Sequence, residues 1–431
     1  MYLTLRDGTR EQPKAPGRSG RVAGTVILLG VVSMLTDISS ESVSAVLPLY
    51  LTGVLGLGPL AYGFVDGIYQ GVSALVRIVG GWAADRGDHP KWVALAGYGL
   101  SAVARLALLP ASGLASITAV ITVDRLGKGL RTAPRDALIS ASTEPHLLGR
   151  AFGVHRAMDT AGALIGPLLA FLILFLLPGS YDSVFVVSFV FAVLGVAVLL
   201  LLVPDLRPRR ALLRDALNAQ SKVPAGPRAP SWKMLADPRL SRLLVVAGLL
   251  GVLTIGDGFL YLALQRRDNF ATEYFPLLYV GTNFAYLALA VPLGRLADRV
   301  GRAKVFVAGH IALVAAYVAA AGPFKGLAAT ITCLLLLGTF YAATDGILAA
   351  LAGRLVDVSV RASGIATAQT VVAAARFVSS LGFGLLWVTL GRSNALLAVA
   401  AALVVALLVV ARAVTRIDRD DRSGSTAALA V

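Results

Sequence analysis

The chain of 431 residues is 57% hydrophobic and only 15% charged, with a mean hydropathy of +0.77. An ordinary soluble domain holds about 45–50% apolar and about 25% charged residues, so soluble, disordered and coiled-coil classes are excluded. Lys and Arg number 39 against 24 Asp and Glu, a net charge of +15; one cysteine (Cys333) and four histidines leave neither a disulfide framework nor an all-protein zinc site.

In chain order, residues 1–22 carry Arg6, Arg10, Lys14, Arg18 and Arg21 among acids, with no small-residue cleavage site. They read as a cytoplasmic segment, not a secretory signal. A membrane-spanning helix needs about 20 mainly apolar residues. Such runs at 23–52, 60–84, 92–111, 115–141, 149–177 and 181–203 predict a first six-helix bundle over 23–203. Residues 204–241, with Pro204, Pro208, Pro224, Pro227 and Pro230, read as a cytoplasmic linker. Runs at 242–265, 274–297, 304–322, 326–352, 361–390 and 394–414 predict a second bundle over 242–414, followed by a tail, 415–431. The runs are continuous rather than alternating, which excludes a β-barrel. The expected fold is an all-α membrane protein of twelve transmembrane helices in two pseudo-symmetric six-helix bundles.

Basic residues crowd the amino-terminal segment, the linker (Arg207 through Arg242) and the tail, whereas the loops 53–59, 111–114 and 177–182 hold no Lys or Arg. By the positive-inside rule both termini are expected in the cytoplasm. The basic excess then lies beside anionic lipid, and no nucleic-acid partner is expected.

The halves repeat one another. GWAADR at 81–86 matches GRLADR at 294–299, RDALI at 135–139 matches TDGIL at 344–348, and RAFG at 150–153 matches RASG at 361–364, each about 210 residues apart. Parallel six-helix repeats are an architecture of secondary transporters, with the site between the halves. Over essentially its whole length the sequence resembles the major facilitator superfamily. The loop signature G-x-L-A-D-R-x-G-R-x-K is matched by Gly294, Leu296, Ala297, Asp298, Arg299, Gly301, Arg302 and Lys304. Its first-half copy keeps Gly81, Ala84, Asp85, Arg86 and Lys91 but has Asp88 and His89 in place of Gly-Arg. Arg125, Lys128 and Gly129 match the fourth-helix signature. Gly162, Gly166 and Pro167 match the fifth-helix G-x-x-x-G-P of drug and metabolite antiporters, although Leu169 and Ala170 replace two later glycines. The segments at 36–41, 124–136 and 155–159 resemble a bacterial branch of exporter-like proteins. The resemblance implies a bacterial plasma (inner) membrane location, alternating access, and Asp85, Arg86, Asp298, Arg299 and Arg302 as gating-loop residues that latch the outward-open state.

Ionisable residues inside a membrane are costly and face a cavity or a partner. Helix four is densest: Asp124, Lys128, Arg131 and Arg135 form one stripe and Arg125, Gly129, Thr132 and Asp136 the next. Asp124 is expected to pair with Lys128, leaving Asp136 free to reach another helix. On helix one, Asp37 and Glu41 share a face; on helix five, Asp159 is one turn from His155 and Arg156. The second half offers Asp257, Asp345 and Arg376, with Asp66 and Arg77 on helix two as gate candidates. The candidates for proton coupling or substrate are thus Asp37, Glu41, Arg125, Lys128, Asp159, Asp257, Asp345 and Arg376.

These features predict a proton-coupled antiporter exporting a small organic molecule, a monomer needing no cofactor beyond the proton gradient. Import of an anionic solute, such as a sugar acid or organic acid, is an alternative suggested by the bases of helix four. Divalent-metal export is another, weakened by one Cys and two His in the spans. No P-loop, nucleophile elbow or nucleotide fingerprint points to an enzyme.

Overall fold

The computed structural model describes residues 23–207, 237–355 and 361–429. The expected amino-terminal segment and most of the linker lie outside the described residues.

The first half comprises α1 (Gly24–Leu49, continued by a π turn Tyr50–Val54), α2 (Pro59–Gly87), α3 (Pro90–Ala107), α4 (Gly113–Ala141), α5 (Leu148–Leu176) and α6 (Tyr181–Leu202). The second comprises a broken α7 (α7a Pro238–Val252, α7b Asp257–Asp268), α8 (Pro276–Val300), α9 (Arg302–Ala321), α10 (Leu327–Arg354), α11 (Arg361–Leu390) and α12 (Arg392–Leu429). All twelve expected spans are helical. Proline opens α2, α3, α7a and α8, where its missing N–H costs nothing. α7a begins before the expected boundary at 242, and α12 runs on beyond 414.

Among the described residues nine spans are long and apolar enough to cross a membrane on composition alone. α4 is not one of them, because Asp124, Arg125, Lys128, Arg131, Arg135 and Asp136 interrupt it. Its polar face is tolerated because other helices surround it, chiefly α2 and α3.

The seventh span, expected as one helix, is interrupted at 253–256. The hydroxyl of Tyr317 on α9 accepts the Ile255 N–H at 2.7 Å, satisfying a backbone group freed by the break. Gly256 and Gly258 sit where a side chain would strike the Asp66 carboxyl and the Tyr62 hydroxyl, so the break lets α2 dock on the second half.

Helix pairing repeats between the halves. α1 packs on α5 and α6, and α2 and α3 pack on α4; correspondingly α7a packs on α11 and α12, and α8 and α9 pack on α10. The halves meet through α2 against α11 and α5 against α8, two contacts that the same twofold relation exchanges. The α2–α11 crossing is close because Gly63, Gly67 and Gly71 face Ser380, Phe377 and Ala373.

The two ends differ. One apolar core runs through both halves, and its first-half members (Val43 to Leu51, Tyr62, Val65, Leu108 to Ile121, Ala170 to Phe185) all lie towards the end opposite the termini. A separate cluster of Val26, Leu29, Val32, Ala94, Tyr98, Leu138, Ile139, Ala151, Leu199 and Val203 fills the terminal end of the first half alone. The halves are therefore packed together at the loop end, and among the described residues no apolar cluster joins them at the end bearing the termini.

Candidate functional site: charged groups within the spans

Towards the terminal end of the first half lies a cavity of about 410 Å³ lined by Arg135 and Asp136 of α4 and by Phe152, Gly153, His155, Arg156 and Asp159 of α5. Charged side chains of the first half at and behind this cavity form two layers.

The deeper layer centres on a buried acid. Asp124 is held by Arg105 of α3 at 2.9 Å and by Arg125 at 2.5 Å, all three at most 3% exposed. The Arg125 guanidinium lies 3.7 Å from the centroid of the Tyr69 ring, and the Tyr69 hydroxyl hydrogen-bonds Ser44 of α1. The expected Asp124–Lys128 pair is replaced: Lys128 reaches Glu41 at 3.8 Å. A guanidinium from a neighbouring helix can bind the carboxylate in the dry interior, while Lys128 keeps its more strongly hydrated ammonium partly exposed. Arg131 stacks 4.5 Å above Tyr98.

The second layer borders the cavity. Arg135 binds Asp136 on its own helix through two hydrogen bonds of 3.0 and 2.9 Å. Asp136 is therefore not free to reach another helix, because its neighbour in sequence satisfies it first. Arg135 also donates to Ser33 of α1 at 3.1 Å and lies 3.9 Å from Asp159. The Ser33 hydroxyl meets His155 at 3.0 Å, so His155 is engaged by α1 rather than by Asp159. Asp159 pairs with Arg156 at 3.6 Å, as its i,i+3 spacing predicts.

Gly162 and Gly166 bring α1 and α5 together. A Cβ at Gly162 would lie 2.5 Å from the Met34 carbonyl oxygen and 3.1 Å from Cβ of Asp37. At Gly166 it would lie 2.9 Å from the Ile38 carbonyl and the Ser42 nitrogen, with Pro167 buried beyond. This approach brings the Asp37 and Asp159 carboxyl groups near enough to act on one another. Two carboxyl groups can hydrogen-bond only when one holds a proton.

The second half carries a different set of charges. Asp257, at the start of α7b, accepts a 2.5 Å hydrogen bond from the Tyr341 hydroxyl of α10. Arg376 of α11 lies 5.7 Å from the centroid of the same ring, and its Nε is buried without a hydrogen-bond partner. Asp345 is exposed although it sits mid-helix, and the charges that act on it are Arg376 and Arg156. Asp66 of α2 accepts a 2.5 Å bond from Ser380 of α11 across the sealed end.

The gating-loop residues divide. Asp298 meets Arg302, the first residue of α9, at 2.5 Å across the Gly301 turn, and Arg299 is exposed. The side chains of Arg77, Asp85 and Arg86 lie outside the described residues.

Several participants were not singled out in the sequence. Tyr69 and Ser33 carry no charge to mark them. The Gly63-Gly67-Gly71 stripe is visible in its four-residue spacing, a small-residue signature of helix crossing.

The sequence profile of the Major Facilitator Superfamily matches residues 29–281. An uncharacterised MFS-type transporter of Methanocaldococcus jannaschii is 28% identical over 372 residues, 84% of this chain and 88% of that one. An uncharacterised protein of Mycobacterium tuberculosis is 34% identical over 143 residues, 33% of this chain and 35% of its own length. Among solved structures, the nucleoside transporter NupG superposes with a TM-score of 0.76 at 15% identity, covering 90% of this chain and 100% of that one. A POT peptide transporter superposes at 0.75 and 15%, covering 92% and 96%. With a profile spanning more than half of the chain and a twelve-helix fold that agrees with it, the protein belongs to the major facilitator superfamily and is a secondary transporter rather than an enzyme.

Proposed function

We propose that the protein is a proton-coupled antiporter that exports a small organic molecule by alternating access. It works as a monomer in a bacterial plasma membrane with both termini cytoplasmic, so the conformation described here has its cavity towards the cytoplasm. One contact carries this proposal: the Asp37–Asp159 carboxyl pair at the α1–α5 crossing. While the pair shares a proton the contact is attractive. Once that proton leaves, two like charges face each other on touching helices and must draw on Arg135, Arg156 and Lys128. Proton loss therefore changes which helix packing is favoured, and a two-state carrier shifts only by such a difference. The G-x-x-x-G-P resemblance at Gly162, Gly166 and Pro167 supports antiport, because the crossing it builds holds the proton site.

The alternatives gain less support. An importer of purely anionic solutes needs idle, accessible bases on α4, yet Arg125, Arg135 and Lys128 are engaged by Asp124, Asp136 and Glu41, and Arg131, which has no ion pair among the described residues, is buried against the Tyr98 ring. Among the described residues no group of three or more His, Cys, Asp or Glu is placed to hold a metal ion.

The test is proteoliposomes with an imposed pH gradient and a panel of cations, anions and neutral compounds. Substrate-dependent proton flux is expected, and Asp37→Asn should abolish gradient-driven transport while leaving substrate counterflow. Full gradient-driven transport by Asp37→Asn would refute the assignment.

A further inference from the structure

Acids are partnered unevenly in the two halves. On the first half, the described acids of α4 and α5, and Glu41 of α1, have basic partners: Asp124 on Arg105 and Arg125, Glu41 on Lys128, Asp136 on Arg135, and Asp159 on Arg156; Arg131, with no ion pair among the described residues, is buried against the Tyr98 ring. On the second half two full charges stand idle. Asp345 is exposed, with no hydrogen bond or ion pair to any described residue. Arg376 likewise has no hydrogen bond or ion pair among the described residues; it lies over the Tyr341 ring, with Asp345 and Asp257 as the carboxylates that act on it, and its Nε is shut away from solvent.

A membrane-embedded charge without a partner is costly unless something else completes it. Asp345 faces the space between the halves and not lipid, because the charges acting on it come from both halves: Arg156 of α5 and Arg376 of α11. Beside it, a side chain at Gly346 would meet open space. The carboxylate and guanidinium are near enough for each to feel the other, yet farther apart than a 4.0 Å ion pair. A ligand that bridged them would need a cationic donor for Asp345 and an acceptor oxygen pair for the guanidinium fork.

From this arrangement we infer that the transported molecule is zwitterionic: a compound bearing both an amine and a carboxylate (or equivalent anion), its ammonium on Asp345 and its anionic group on Arg376. Tyr341 positions the site, donating its hydroxyl to Asp257 and holding Arg376 over its ring. The second half thus reads substrate while the first half holds the proton. The inference rests on the transporter assignment but not on the direction or coupling proposed above.

The test uses the full chain in lipid nanodiscs and measures binding by calorimetry. The probes are amino acids and dipeptides, each beside its decarboxylated amine and its des-amino acid; phenylalanine, phenethylamine and 3-phenylpropionate form one such set. At least one zwitterion should bind about tenfold or more tighter than both of its counterparts, since each loses one charge-assisted hydrogen bond. Asp345→Asn should remove the preference over the des-amino acid while keeping that over the amine, and Arg376→Gln should do the reverse. Such a crossed loss is not produced by general misfolding. If no zwitterion binds, or if an amine or acid binds within twofold of its parent in every set, the inference is overturned. Counterflow of the bound compound in proteoliposomes without a pH gradient separates the two proposals. Binding and counterflow without proton coupling would refute the antiport mechanism and leave the zwitterion site standing.

Discussion

Adding one methyl group to α5 should have opposite effects at two positions nine residues apart. In Gly162→Ala the new Cβ would sit 2.5 Å from the Met34 carbonyl oxygen and 3.0 Å from its Cα, both backbone atoms that cannot rotate away. Close carbon–oxygen contacts between helices normally settle near 3.3 Å or more, so α1 and α5 must part locally by about 0.8 Å. Overpacking of this kind costs about 1–3 kcal/mol, and the separation also draws the Asp37 and Asp159 carboxyl groups apart. In Gly153→Ala, on the same helix, the added atom meets nothing within 4 Å. There the methyl restricts the unfolded chain and suits the helix, a gain of about 0.5–1 kcal/mol. Thermal unfolding in detergent, followed by tryptophan fluorescence, should show Tm falling for Gly162→Ala and holding or rising for Gly153→Ala. In proteoliposomes Gly162→Ala should lose pH-driven transport disproportionately to its loss of folded protein. Equal Tm for both variants, with Gly162→Ala retaining wild-type flux, would refute the claim that the α1–α5 approach builds the proton site.

Other consequences are equally direct. Asp124→Asn leaves Arg105 and Arg125 buried around a neutral amide and should cost about 3–5 kcal/mol, read as loss of monodisperse protein by size-exclusion chromatography. The pair Arg105→Met with Asp124→Leu should recover part of that loss. Lys91 donates to the carbonyls of Leu200 and Val203 at 2.9 and 2.7 Å, completing the end of α6. Lys91→Met should therefore lower stability by about 1–3 kcal/mol without altering substrate preference, as a Tm series with and without ligand would show. At the sealed end a Cβ at Gly384 would lie 3.1 Å from Cα of Leu60. Leu60→Cys with Gly384→Cys, in a Cys333→Ser background, should cross-link under mild oxidation and stop transport until reduced. Full transport by the cross-linked protein would show that this end need not open.

Much of the protein was legible in its sequence because it is written in local quantities. The length of each apolar run set the twelve spans, and the bundle repeat and the loop signatures are contiguous strings. The i,i+3 pair Arg156–Asp159 and the glycine face of α5 also needed only helical periodicity. Which charges matter was partly legible too, since an ionisable residue in an apolar run stands out whatever surrounds it.

Partnership was a different matter. Asp124 chose Arg105 from α3 over the lysine one turn away, and Asp136 was taken by the arginine beside it, because the rotation of each helix decides which side chains enter the dry interior. The break in α7 depends on Tyr317, Asp66 and Tyr62, residues of two other helices. The sealed loop end depends on apolar faces of both halves meeting. The idle state of Asp345 and Arg376 could be seen only once every neighbouring helix was in place. Spans follow from the cost of burying backbone in lipid, which a single segment settles by itself. Charge pairing and the cavity follow from how twelve helices are turned against one another, and that only the tertiary structure decided.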